Sequence, residues 1–192
     1  MKIVFATNNE NKIREIQSML PDAITIISLE SIGCFEDIPE TATTIEGNAI
    51  LKANYVTEKY GYDCFADDTG LEIEALNNEP GVFSARYAGE HRSSEDNMNK
   101  VLALLTNETN RNAQFKTVIC LNINKEQVLF SGIAKGTITE NKKGSGGFGY
   151  DPIFLPENYT ETFAELSLST KNKISHRGKS TQLLINFLNS KR

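Results

Sequence analysis

Short apolar runs alternate along this chain with stretches whose apolar residues recur every three or four positions. That alternation predicts a mixed α/β fold. Ile3 to Ala6 reads as a buried strand, followed by the polar turn Thr7-Asn8-Asn9-Glu10-Asn11, which is rich in capping side chains. Ile13, Ile16 and Leu20 share one helical face and predict a helix over 12–20. Ile24 to Leu29 is a second strand candidate. Thr43 and Glu46 have the capping-box spacing, and Ile45, Ala49, Ala53, Val56 and Tyr60 form an apolar stripe behind them, which predicts a helix over 44–60. Cys64-Phe65-Ala66 reads as a short strand that runs out into a turn at Asp67-Asp68-Thr69-Gly70. A helix starts near Ser94 with Met98, Val101, Leu102 and Leu105 inward. Phe115 to Ile123 and Gln127 to Ala134 predict an antiparallel hairpin around Asn124-Lys125-Glu126. The last helix is expected over 180–189, with Leu183, Leu184, Phe187 and Leu188. No repeat, low-complexity tract or linker interrupts the pattern, so residues 1–192 are read as one domain.

Composition adds mainly exclusions. With 192 residues, 39% hydrophobic and 23% charged, the chain is long enough to bury a full core and ordinary for a globular protein. A net charge of −5 argues against non-specific binding to nucleic acid or to anionic membranes. No apolar run approaches the roughly 18 to 20 residues of a membrane span. The strand-like start at Ile3 leaves no room for a secretion signal, so a cytoplasmic protein is expected. Cys34, Cys64 and Cys120 are odd in number and widely spaced, which fits reduced thiols and disfavours a zinc ribbon or redox dithiol. His91, in the polar run Glu90-His91-Arg92-Ser93-Ser94, reads as a solvated surface residue.

Candidate chemistry concentrates in a few places. Gly144-Ser145-Gly146-Gly147-Phe148-Gly149-Tyr150-Asp151-Pro152 sets two aromatics on a glycine frame, a surface on which a flat ring can stack. The alternative is a glycine-rich turn whose Phe148 and Tyr150 cap the core. Asp67 and Asp68 fall where a strand is expected to end, a common place for functional carboxylates in α/β folds. Adjacent strand residues point to opposite faces, so both acids reach one ion only if the strand has broken, which Gly70 favours. Glu40 is a third carboxylate that can fold back to the same place, and such hard oxygen ligands suit magnesium. An Asx turn at Asp67 or Asp68 is the competing reading. Lys12 opens the first helix, where backbone N–H groups and the helix dipole favour an anion. Lys171-Asn172-Lys173-Ile174-Ser175-His176-Arg177 gathers positive charge before the last helix. Gly178-Lys179-Ser180 is not a P-loop ending, because Lys173 stands where the motif needs its first glycine.

Taken together, six segments resemble one family. They are Thr7-Asn8-Asn9-Glu10-Asn11-Lys12, Asn48-Ala49-Ile50-Leu51-Lys52-Ala53, Ala66-Asp67-Asp68-Thr69-Gly70-Leu71, Pro80-Gly81-Val82-Phe83-Ser84-Ala85-Arg86-Tyr87, Gly146-Gly147-Phe148-Gly149-Tyr150-Asp151-Pro152 and Ser175-His176-Arg177-Gly178. In this order they resemble the inosine/xanthosine triphosphate pyrophosphatases, which hydrolyse deaminated purine nucleoside triphosphates. Asn8 and Thr69 depart from the small residue and Ser often found in members, and both keep hydrogen-bonding capacity.

The resemblance implies an α/β fold with an elongated mixed sheet flanked by helices, two lobes and a central cleft, in a homodimer. It implies attack of water on the α-phosphorus of dITP, ITP, XTP or dXTP, giving the nucleoside monophosphate and pyrophosphate. By position, Asp68 is the expected general base and a Mg2+ ligand, Glu40 the second ligand, and Asp67 a supporting acid. Lys12 and the loop Thr7, Asn8, Asn9, Glu10, Asn11 are expected to hold the phosphates, with Lys171 as a second cation and Thr69 among the substrate contacts. Phe148, Gly149, Tyr150 and Asp151 are expected to frame the base, and His176 and Arg177 to donate to it. Two rivals stand beside this reading. One is a Maf-like pyrophosphatase acting on pyrimidine or modified nucleotides, and the other a non-catalytic nucleotide-binding protein.

Overall fold

A computed structural model describes residues 1–191. It is a mixed α/β fold built on one seven-stranded sheet of order β2-β1-β3-β5-β6-β7, with β4 paired to β3. The strands are β1 (Lys2–Phe5), β2 (Thr25–Ile27), β3 (Cys64–Ile73), β4 (Glu79–Gly81), β5 (Asn112–Ile123), β6 (Glu126–Ile138) and β7 (Phe154–Pro156). The helices are α1 (Glu10–Gln17), α2 (Ile45–Tyr60), α3 (Ser94–Leu104), α4 (Leu168–Ile174) and α5 (His176–Ser190). Among the described residues, no helix is long and apolar enough to cross a membrane.

The chain forms two compact units, as the expected lobes require. The first comprises Met1–Asp68, Thr117–Gly132 and the stretch from Arg177 on; the second comprises Thr69–Lys116 and Ile133–His176. In the first unit, β1 pairs in parallel with β2 and with β3, in the register Val4 to Cys64 and Phe5 to Phe65. The Phe5 and Phe65 rings stack at 4.4 Å, and Ile3, Ile16, Ile119, Leu121, Leu184 and Leu188 close the core around them. In the second unit, Leu71, Ile73, Met98, Val101, Phe115, Phe154 and Phe163 form a separate core. The three cysteines are free and buried, and burial pushes the Cys120 thiol up to about 12.

Several expectations shift. Helix α1 starts two residues early, because the Asn9 side chain caps it by accepting from the backbone N–H groups of Asn11 and Lys12. The α2 cap is Thr44 rather than Thr43, with Thr44 Oγ1 accepting from Gly47 N at 3.0 Å. The expected hairpin is longer at its open end, and its turn is only Asn124-Lys125, at φ 48° and 67°, the left-handed geometry of a type I′ turn. Helix α5 begins at His176 rather than near 180; Leu184 and Leu188 are buried and Leu183 is exposed. The largest correction concerns β3. No turn forms at Asp67-Asp68-Thr69-Gly70; the strand continues unbroken to Ile73.

Candidate active site

That continuity decides what the two acids do. On an unbroken strand adjacent side chains leave opposite faces, so Asp67 and Asp68 acquire different partners. Asp67 is fully buried. Its Oδ1 accepts from Lys12 Nζ at 3.0 Å, and its Oδ2 accepts from Arg177 Nε and Nη2, both at 3.3 Å. Arg177 Nη1 donates to Glu15 Oε2 at 2.7 Å, so a buried guanidinium ties α5 to both β3 and α1. Burial alone would raise the Asp67 carboxyl, but the charges of Lys12, Arg177 and Lys52 outweigh it and hold the group well below the usual range. Burial lowers Lys12, with the neighbouring cations Lys52 and Arg177 adding to the effect against Asp67.

Asp68 faces the other way, toward α2. Asn48 Nδ2 donates to its Oδ2 at 3.3 Å, and Lys52 Nζ lies 3.6 Å from its Oδ1. The same ammonium donates to Glu40 Oε1 at 2.5 Å. Desolvation raises the Asp68 carboxyl above its ordinary value; Lys52 and Lys12 oppose the rise, and Glu40 and Asp67 add to it. Lys52 is held above its ordinary value, because Asp68, Glu40 and Asp67 overcome the effect of burial. Glu40 and Asp68 therefore bracket one cation already, and their hard oxygens fit a divalent ion that keeps most of its waters. Among the described residues, no group of three His, Cys, Asp or Glu side chains converges as a metal site.

The loop before α1 is organised around its own backbone. Thr7 Oγ1 accepts from Asn9 N at 3.2 Å, Asn9 caps the helix, and Asn8, Glu10 and Asn11 are exposed. Lys12, in the first turn, is the member of this run that reaches the acid cluster.

The second unit carries the aromatic group. Asp151 Oδ2 accepts from Phe148 N at 2.8 Å and from Lys171 Nζ at 2.6 Å. Lys171 Nζ lies 5.1 Å from the Phe148 ring centre, which places Lys171 with the residues expected to frame the base. A Cβ on Gly147 (φ 67°) would come within 2.0 Å of Asp151 Oδ2, so only glycine fits beside that carboxylate. Gly149 also has positive φ, 62°. Tyr150 is a core residue whose hydroxyl donates to Ser84 O at 2.7 Å. His176 is buried, its ring stacked on Phe115 at 4.5 Å. Thr69 is half-buried in β3.

Lys52, Asn48 and Glu15 join these clusters without being candidate site residues in the sequence, although Asn48 and Lys52 lie in one of the six motif segments. A signal existed for two of them: Asn48 and Lys52 lie on the α2 face that carries Ile45, Ala49 and Val56, a polar pair on an otherwise apolar stripe.

The fold and these clusters define a mixed α/β protein with a buried acid–lysine centre on a parallel-paired strand. The chain belongs to the Ham1 family, whose profile matches residues 3–187. It is 72% identical over 187 residues to a Flavobacterium psychrophilum protein named dITP/XTP pyrophosphatase, covering 97% of this chain and 98% of that one. The solved structure of the Staphylococcus aureus Ham1 protein superposes with a TM-score of 0.91 at 42% identity over the whole of both chains. A Mycobacterium abscessus structure described as a nucleoside-triphosphatase or dITP/XTP pyrophosphatase gives 0.79 at 38% identity, covering 96% of this chain and 99% of that one.

Proposed function

We propose that this chain is a nucleoside triphosphate pyrophosphohydrolase that converts dITP, ITP, XTP or dXTP to the monophosphate and pyrophosphate. It would thereby keep deaminated purines out of DNA and RNA. The observation that carries the reading is the 72% identity, over nearly the full length of both chains, to a protein named dITP/XTP pyrophosphatase. The unbroken β3 supports it, because it gives Asp68 a base's surroundings and Asp67 a structural partner's.

In this reading Asp68 takes a proton from the attacking water. Its carboxyl is raised by burial, which brings the base closer to neutral pH, and Asn48 orients it. The water oxygen bonds to the α-phosphorus, the bond to the bridging oxygen breaks, and pyrophosphate leaves. Glu40 and Asp68 would hold Mg2+, which when bound neutralises phosphate charge and acidifies water. Lys12, in the first turn of α1 at the positive end of the helix dipole, suits the phosphates. Phe148, in the frame set by Asp151 and Gly147, suits a purine face, and Lys171 beside it supplies a donor for a 6-oxo group. His176 and Arg177 are further proposed donors, and the two carboxylates on Arg177 fix its planar fork in one orientation. Donors oppose the 6-amino group of adenine, and a site left with unpaired polar groups rejects the wrong ligand by about 10⁴-fold. We place the enzyme in the cytoplasm, as a homodimer with no nucleic-acid partner.

A panel of dITP, XTP, dATP and dGTP with Mg2+ tests the reading. Pyrophosphate release from dITP and XTP alone is expected. Equal turnover of dATP, or turnover of none, would overturn it.

A further inference from the structure

Glu40 sits in residues 34–43, which belong to no helix or strand. Side chains fasten this segment to α2 in antiparallel order. Nearest α2, Ala42 N donates to Asn48 Oδ1 at 2.9 Å, and the same Asn48 reaches Asp68 through its Nδ2. In the middle Lys52 grips Glu40. At the far end one oxygen, Glu36 Oε1, accepts three hydrogen bonds: from Lys59 Nζ at 2.6 Å and from the Tyr55 and Tyr60 hydroxyls, both at 2.7 Å. Lys59 Nζ also lies 5.1 Å and 5.5 Å from the two tyrosine ring centres. The bond from Lys59, then those from the tyrosines, hold the Glu36 carboxyl well below its ordinary range, so it is ionised at neutral pH.

Between Glu36 and Glu40 lie only Asp37, Ile38 and Pro39. Proline fixes its own φ and confines Ile38 to extended conformations, so this link has little freedom to absorb movement at either end. Downstream, the approach is equally tight: a Cβ on Gly47 would come within 2.7 Å of Ala42 Cβ. Glu40 is therefore suspended between two anchors, one at Ala42 and one at Glu36.

We propose that Glu36, with Tyr55, Tyr60 and Lys59, is a positioning clasp that sets the Glu40 carboxylate against Asp68 for the divalent cation. The proposal rests on the reading of Glu40 and Asp68 as the cation's ligands. Glu36 acts through the short Ile38-Pro39 link and touches neither substrate nor metal. Residues that orient metal ligands typically contribute 10- to 100-fold in affinity. Glu36 is partly exposed, so its removal leaves both cores intact.

The test is Mn2+ binding to the nucleotide-free protein, followed by electron paramagnetic resonance of the free ion, for wild type, Glu36→Ala, Glu36→Gln and Glu40→Gln. Glu36→Ala is expected to raise the Mn2+ Kd about tenfold. In turnover assays it should raise the Mg2+ needed for half-maximal rate, with kcat at saturating Mg2+ near wild type. Glu36→Gln keeps an acceptor for the tyrosines and loses only the charge, so its shift should be smaller. If Glu40→Gln weakens Mn2+ binding and Glu36→Ala does not, the clasp is overturned while the assignment of Glu40 stands. If Glu40→Gln itself binds Mn2+ as wild type does, the assignment of Glu40 fails and the clasp fails with it.

Discussion

Asp67→Asn isolates what the buried acid contributes apart from chemistry. The substitution keeps the shape and removes the charge that faces Lys12 at 3.0 Å and Arg177 at 3.3 Å. In wild type, Lys12 and Arg177 are balanced by Asp67 and Glu15; in the variant one buried positive charge loses its counterion, and an amide N–H₂ competes with cations for the same space. Removing one partner of a buried ion pair costs about 3 to 5 kcal/mol. That is a large share of the roughly 5 to 15 kcal/mol that stabilises a domain. At about 2 to 4 °C per kcal/mol for a chain of this length, the Tm should fall by about 6 to 20 °C at pH 7. Far-ultraviolet circular dichroism would follow the transition. The pH dependence has a definite sign. The folded Asp67 carboxyl is depressed, so its contribution is complete above its unfolded value of about 3.9 and is lost as pH falls from there toward the folded value. The gap between wild type and variant should therefore be full at pH 7 and shrink below about pH 4. A drop of less than about 3 °C at pH 7, or a full gap persisting at pH 3, would refute the reasoning.

Two further variants probe the rest of the site. Gly147→Ala drives a methyl group into the Asp151 carboxylate and strains a positive φ, so it should raise KM for dITP about tenfold or more through the Phe148 frame; unchanged KM would contradict that frame. Lys52→Met removes the cation nearest Asp68, so the base's pKa should rise and the acid limb of kcat/KM should move to higher pH by about one unit or more; an unmoved limb would show that Lys52 does not tune the base.

What was legible in the sequence follows what is local. Helix α2 is found to within a residue because its apolar stripe spans four turns, although the cap falls on Thr44 rather than Thr43. The hairpin is legible because an apolar run on one side and an alternating strand on the other flank a polar turn. The six motif segments lie in order along the chain, so the candidate residues are found even where their partners are not. The β3 misreading has a tertiary cause. Asp-Asp-Thr-Gly carries turn propensity, but this strand is paired to β1 at one end and to β4 at the other, and pairing overrides local preference. Arg177 is the sharpest case. Its carboxylate partners stand 110 and 162 residues away, so nothing near Ser175-His176-Arg177-Gly178 marks this arginine as one of the most buried residues of the chain. Tyr150 shows how local pattern leaves a choice open: set among glycines, it reads as part of a ligand surface or as a core cap, and its ring belongs to the second core.

The most direct test of the central claim is single-turnover hydrolysis of dITP in ¹⁸O-labelled water by wild type and Asp68→Asn. The account predicts label in the monophosphate and none in the pyrophosphate, with the variant slowed by about 10² to 10⁴. Label in pyrophosphate or free phosphate would contradict attack at the α-phosphorus, and a variant as fast as wild type would remove Asp68 as the base.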